Sequence, residues 1–324
     1  GTPPHRWLSW PLMADPSAGA LKRATLVLLL AALIWGSMIP VLAALAEHYD
    51  KWLLSWLRYV LGLPVLWLAV LCSRPPPATP RPLQPGRLIR LGAAMTAFSV
   101  LYTFGVANAH PATAAIVLMC GPIWATILSR LLLRAAPPPG FYVTLVLVVG
   151  GGVLVVLGTP GRPAGGLGIE GGEILLVIAQ LCWSWYSIRA QQWLADRGQM
   201  ALSALTSSVA SVLLAVVCLV VWATLGIDLP TRAPTPIEGG MIVWIGVLGV
   251  AVAVLLWNTG VSLVGVPVAS LFSNSAPVFA IGLAALMGFE PSWLQLAGGV
   301  VVMGGIAQLQ IRQMRATRPG ANAR

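Results

Sequence analysis

About ten apolar runs, each about twenty residues long, leave this chain a single class of fold. They lie at 24–44, 51–72, 88–108, 111–133, 141–158, 170–190, 200–224, 238–258, 264–288 and 293–312, with short punctuated loops between them. A helix of about 20 apolar residues crosses the hydrocarbon core of a bilayer. Within that core every backbone N–H and C=O must be paired internally, so a span is either a helix or part of a closed barrel. The runs are continuous and lack the alternation of barrel strands. With 58% hydrophobic and 9% charged residues, the chain has far more apolar surface than a soluble core can hide. The expectation is an all-α polytopic membrane protein with ten transmembrane helices.

Charge sets the expected orientation. With the N-terminus inside, fifteen of the nineteen Lys and Arg fall on inner segments and three on outer ones, leaving Arg58 within a span. Basic residues favour the cytoplasmic side. Both termini are therefore expected in the cytoplasm, which requires an even number of spans. The net charge of +10 does not point to nucleic acid, because the basic residues sit in loops and not on a face with interleaved aromatics. Residues 1–12 read as a non-native leader ahead of Met13, within an N-terminal tail over 1–23; 313–324 form a basic tail. The first apolar run is too long for a cleavable signal peptide and lacks a cleavage site.

Chemistry is sparse. Cys72, Cys120, Cys182 and Cys218 show no CxxC or zinc spacing and read as small apolar packing residues. His5, His48 and His110 are scattered, and none of the nine acidic residues falls near a span midpoint. No enzyme, metal or cofactor is expected.

The chain repeats itself. YTFGVANAHPATAAIVLMCGPIWA from Tyr102 matches WNTGVSLVGVPVASLFSNSAPVFA from Trp257, so Gly105 and Gly260, like Pro122 and Pro277, stand 155 residues apart. Gly150–Gly152 resembles Gly304–Gly305, and Trp35 resembles Trp183. Two units, 24–158 and 170–312, each carry five spans, joined by the Gly/Pro linker TPGRPAGGLGI at 159–169. An odd number of spans turns the second unit upside down. Inverted repeats build many secondary transporters, with the solute site at the midplane between the halves.

These residues also resemble a known family. Trp35-Gly36, LRYVLG around Arg58, Gly105 with Pro122, Gly260 with Pro277, and Gly-Phe-Glu at 288–290 follow the pattern of EamA-type members of the drug/metabolite transporter superfamily. The Gly-rich fifth and tenth spans complete it, from about residue 24 to 312. One departure is Arg134-Ala135, where members often carry a Glu. Within the family the chain is similar to bacterial amino-acid and metabolite exporters of the YddG type. The resemblance implies a carrier of small molecules, amino acids foremost, working by alternating access as a monomer or homodimer in the lipid bilayer. A carrier of a sugar, nucleotide-sugar or drug, or a lipid flippase, are the rival readings.

Span midpoints supply the candidate solute contacts: Trp35, Ser37, Met38, Phe98, Tyr102, Gln180, Trp183, Tyr186, Ser270 and Asn274. Rings suit the body of an amphipathic molecule, and hydroxyls and amides suit its polar ends. For the Ser residues, close helix packing competes with solute contact; for Asn274 and Gln180, an amide in hydrocarbon calls for a partner or a cavity. Tyr102 and Trp257, with Pro122 and Pro277 as paired bends, are the expected gates. Arg58, Glu173 and Glu290 are expected to be structural charges, with Arg58 paired to one of those acids or to helix-end carbonyls. Trp52, Trp56, Trp222, Trp244 and Trp293 read as an interfacial belt. With no acid or His near the midplane, facilitated diffusion is the expected energetics.

Overall fold

The computed structural model describes residues 17–73, 80–109, 111–134, 136–159, 169–226, 232–288 and 290–316. Residues 1–16 of the N-terminal tail, His110, residues 160–168 of the linker, and 317–324 of the basic tail lie outside them. The regular secondary structure of the described residues is all helical. In chain order the helices are α1 (Ala18–Ala46), α2 (Lys51–Cys72), α3 (Pro85–Ala107), α4 (Pro111–Met119), α5 (Gly121–Leu133) and α6 (Phe141–Leu157). The second half holds α7 (Gly172–Trp193), α8 (Gly198–Leu225), α9 (Pro236–Val243), a π-helical segment (Trp244–Val252), α10 (Ala253–Ser273), α11 (Ala276–Leu286) and α12 (Trp293–Ala316).

Local chemistry sets several of these ends. Ser17 accepts the Ala20 amide at the start of α1, and Asp50 accepts the Trp52 and Leu53 amides at the start of α2. Both caps satisfy N–H groups that a helix start leaves open. Thr235 and Glu238 form a reciprocal capping box at α9. The cap of α12 is the pair Ser292 and Gln295. Glu290, expected at this end, is exposed and in no ion pair among the described residues.

Among the described residues, six helical stretches are long and apolar enough to cross a membrane, or seven with the bent pair α4–α5. The ten expected spans are compatible with this. The stretch Pro236–Ser273 holds the eighth span and the first part of the ninth, because Gly265 breaks it with φ +77°, a conformation open to glycine. The break therefore lies at Gly265, and the helix runs on through 259–263, where the hydropathy placed a loop. Pro40 and Pro64 stay inside continuous helices. Large apolar side chains cover the outside, including Leu71, Val146 and Val300, as a lipid-facing surface requires.

The two halves are related by inversion. The repeat mates α6 and α12 pack antiparallel: Ser292 donates to the Gly158 carbonyl at one end, Gly151 meets Gly298 in the middle, and Gly140 meets Arg312 at the other. A Cβ on Gly151 would lie 2.8 Å from the Gly298 oxygen, and one on Gly298 would lie 2.5 Å from the Gly151 oxygen. Only glycine permits this approach, and small residues at such crossings are a feature of membrane helices. The mates α2 and α8 are also antiparallel, Trp52 meeting Cys218 and Trp67 meeting Ser208. Contacts come in related pairs: Gly105 packs on Leu176 and Gly260 on Leu28, where Leu28 and Leu176 are 148 residues apart, like Trp35 and Trp183.

One irregularity follows from counting. Gly92 packs on Val209, and its counterpart Gly246 on Leu61, the residue 148 earlier. From Gly92 to Gly105 is thirteen residues, but from Gly246 to Gly260 is fourteen. The π-helical segment falls in that interval and absorbs the extra residue without shifting the glycines that pack at either side. A π-bulge is the usual way a helix accommodates one inserted residue. Near its end the Ala253 amide bonds the Leu248 and Val250 carbonyls, and the Gly249 carbonyl between them accepts the Trp35 indole N–H at 3.2 Å.

Candidate solute cavity

Both halves break their fourth helix at the same place. The first breaks at Cys120, where α4 and α5 meet at 42°. The second breaks at Asn274 and Ser275, between α10 and α11. Pro122 and Pro277 are each the second residue of the helix that follows. Proline is tolerated there because that N–H has no intrahelical partner. The freed carbonyls are satisfied from other helices. Asn274 Nδ2 donates to Met119 O at 2.7 Å, and Gln180 Nε2 donates to Leu118 O at 3.0 Å. Met119 and Asn274 are 155 residues apart, so the two breaks meet each other across the repeat axis. Irregular backbone at membrane depth is tolerated where protein or a cavity satisfies it.

A cavity of about 720 Å³ lies beside these breaks and is lined from both halves. Its size falls within the roughly 300–1,000 Å³ of small-molecule sites. It brings together Trp35, Met38, Phe98, Tyr102, Gln180, Trp183, Ser270 and Asn274 of the expected contacts, along with Pro122, Trp257 and Pro277. Ser37 and Tyr186 do not line it. The Ser37 hydroxyl donates to Ile34 O and accepts the Trp244 indole, and Tyr186 is fully buried against Thr206 and Asn258. Ser270 donates to Pro267 O in its own helix, a common way for a hydroxyl to be satisfied in a span. Tyr59, Ser99, Ser184, Thr159 and Gln295 line the cavity without having been expected to. Ser99 and Ser184 follow Phe98 and Trp183 in sequence, and only the rotation of their helices brings them to the wall.

The floor is aromatic. Trp35, Trp183 and Trp257 touch one another, with ring centroids 6.2, 5.7 and 5.8 Å apart, and Phe98 sits 5.0 Å from Trp183. Behind the floor is a buried polar network. Asn258 Nδ2 donates to Tyr186 Oη at 3.1 Å and Ser203 Oγ at 2.9 Å, and Gln191 Nε2 donates to Asn258 O at 3.0 Å. The Trp257 indole donates to Ser187 Oγ at 3.0 Å. At the far end the wall reaches Leu42, Thr159, Ala284 and Gln295, where α1, α6 and α11 end and α12 begins. The cavity is thus closed at the tryptophans and extends to the opposite end of the bundle.

Charges sort differently from the expectation. Glu173 Oε2 accepts the Glu170 and Gly171 amides and closes the start of α7. Arg58 is paired with neither Glu173 nor Glu290. Its Nε is buried without a partner, and it is a lining residue of the cavity. The reason is placement: Glu173 is turned to its own helix start, and Glu290 is exposed on the turn before α12. Outside the spans, Tyr49 Oη donates to Glu238 Oε2 at 3.4 Å, and Arg232 pairs with Glu238 at 2.7 Å; burial, then the Glu238 charge, pushes the Tyr49 phenol up. Of the expected belt, Trp222, Trp244 and Trp293 are exposed, whereas Trp52 is buried against Phe104.

Two inverted helical units with broken helices meeting at an internal cavity define a membrane carrier. The chain belongs to the EamA-like transporter family, whose model matches residues 22–157 and again residues 170–309. It is also similar to the uncharacterized transporter YyaM of Bacillus subtilis (strain 168), with 23% identity over 212 residues, 64% of this chain and 67% of that protein. A solved crystal structure with 21% identity shares the fold, with a TM-score of 0.72 over 92% of this chain and 99% of the other. The protein is a multi-pass membrane transporter of small solutes, of the EamA type within the drug/metabolite transporter superfamily.

Proposed function

We propose that the protein exports amino acids or similar small metabolites across the bacterial inner membrane by alternating access, with both termini in the cytoplasm. The observation that carries this reading is the cavity: built from both halves, walled by rings and neutral polar groups, and sealed at one end only. Lys22, Arg23, Arg87, Arg90 and Arg197 lie toward the sealed end, and this excess of basic residues supports a cytoplasmic sealed end and an outer open end. On this reading the arrangement corresponds to an outward-facing state. Among the described lining residues there is no Asp, Glu or His to carry a proton, which supports facilitated diffusion.

The test is counterflow of radiolabelled amino acids in proteoliposomes of the full chain. The expected result is saturable exchange that survives collapse of an imposed pH gradient. Exchange that depends steeply on that gradient would overturn the uncoupled mechanism. Movement of labelled phospholipid between leaflets, with no exchange of soluble solute, would replace the carrier reading with a flippase.

A further inference from the structure

Among the described residues that line the cavity, Arg58 alone is charged. Its Nε has no partner, and the one salt bridge among the described residues, Arg232 with Glu238, lies elsewhere. A guanidinium left without a counter-ion in an apolar setting is costly, and a cavity lined mainly by rings and aliphatic groups offers it little compensation. Arg presents a planar fork of donors that matches a carboxylate in bidentate fashion. The ring series Tyr102, Phe98 and Trp183, with centroid spacings of 5.7 and 5.0 Å, continues along the same wall. The cavity therefore offers one cationic anchor and a long apolar surface. Its described lining includes no acid, so a substrate ammonium group would meet neutral oxygens and ring faces there.

We propose that Arg58 anchors a substrate carboxylate, and that the solutes are monocarboxylates with an aromatic or apolar body, in which the amino group is dispensable. This rests on the carrier reading above and narrows it: amino acids qualify through their carboxylate, and the corresponding acids without an amine qualify equally. The carboxylate neutralises the unpaired guanidinium, and the rings take up the body.

The test uses four probes that differ only in their charged ends: 3-phenylpropionate, phenylalanine, phenylalanine amide and phenethylamine. In proteoliposomes of the unmodified protein, the first two are expected to compete for exchange, while the amide and amine bind about ten- to a hundredfold more weakly, the size of a lost charge-assisted hydrogen bond. Arg58→Gln is expected to lose the same factor for the two carboxylates only, and Arg58→Lys to recover part of it. Because Arg58→Gln can fail by misfolding, the thermal shift of the unmodified protein with 3-phenylpropionate provides a second readout. Equal competition by the amide or the amine overturns the anchor while leaving the carrier reading intact. A thermal shift by 3-phenylpropionate with no exchange of any probe supports the anchor and removes the carrier reading. Neither shift nor exchange by the acid overturns the proposal, as does a folded Arg58→Gln that still exchanges it normally.

Discussion

The two ends of the cavity are built from repeat mates that do opposite things. Tyr102, at the open end, is 38% exposed, while its mate Trp257, at the closed end, is 1% exposed. Asn258 reaches two other helices through its side chain; its mate Thr103 bonds only Ser99 O in its own helix. Thr206 is buried against Tyr186, and its mate is Arg58, unpaired at the cavity wall. Helix crossings, by contrast, are matched: Gly105 on Leu176 has its counterpart in Gly260 on Leu28. The halves share a scaffold and differ in the polar groups laid over it. Such a molecule can be symmetric in packing while resting in an asymmetric state, which fits the alternating access proposed above.

The largest expected effect separates Tyr102 from Trp257. Trp257→Ala should lower stability by about 3–5 kcal/mol, the usual loss for a fully buried Trp. Tyr102→Ala should cost less than about 1 kcal/mol, since little packing is lost. Thermal unfolding in detergent measures both. A cysteine at Ser187 should also react with membrane-impermeant thiol reagents from the closed side only when Trp257 is removed. Equal losses and equal labelling in the two variants would end the comparison.

Next come the glycines, which test the matched half of the argument. Gly105→Ala and Gly260→Ala should each cost about 1–3 kcal/mol, because the added methyl overlaps a leucine in both. Melting curves that differ by the equivalent of more than about 1 kcal/mol would show that the packing itself is unequal. A smaller effect is expected at the polar network. Asn258→Leu should cost about 1 kcal/mol, for two interhelical bonds in a membrane interior. Thr103→Val should be near neutral. If Thr103→Val proved the worse of the two, the asymmetry of the polar network would be refuted. The smallest change expected is from deleting Val247, which restores thirteen residues between the packing glycines. It removes the Trp35 bond to Gly249, at about 1 kcal/mol, and regains a regular helix in exchange. Near-constant melting with slower exchange would tie the π-segment to gating, whereas unchanged exchange would leave it a mere repair of the register.

Much of this was legible before any coordinates. Composition and run length identified a helical membrane protein, and the 155-residue spacing exposed the inverted halves. Aromatic and amide side chains at span midpoints mostly reached the cavity, because a polar or bulky group in mid-span needs a cavity or a partner. The exceptions are physical. Ser37 and Tyr186 sit at the right depth but on helix faces turned to Trp244 and to Thr206, and depth alone does not fix rotation. The family resemblance, which includes Arg58 whatever the solute, implies a structural charge, with Glu173 and Glu290 as candidate partners. Neither is within ion-pair distance of it.

By itself the sequence determined the spans, their duplication and their opposite orientation, since hydropathy and repeat spacing act locally along the chain. Tertiary structure decided which mates pair across the halves, that Asn274 and Gln180 satisfy a broken helix, and which end of the cavity is closed. Those outcomes depend on helix rotation and on contacts between residues far apart in the chain. An inverted repeat assigns nearly the same local preferences to both ends, so only the global packing can choose between them.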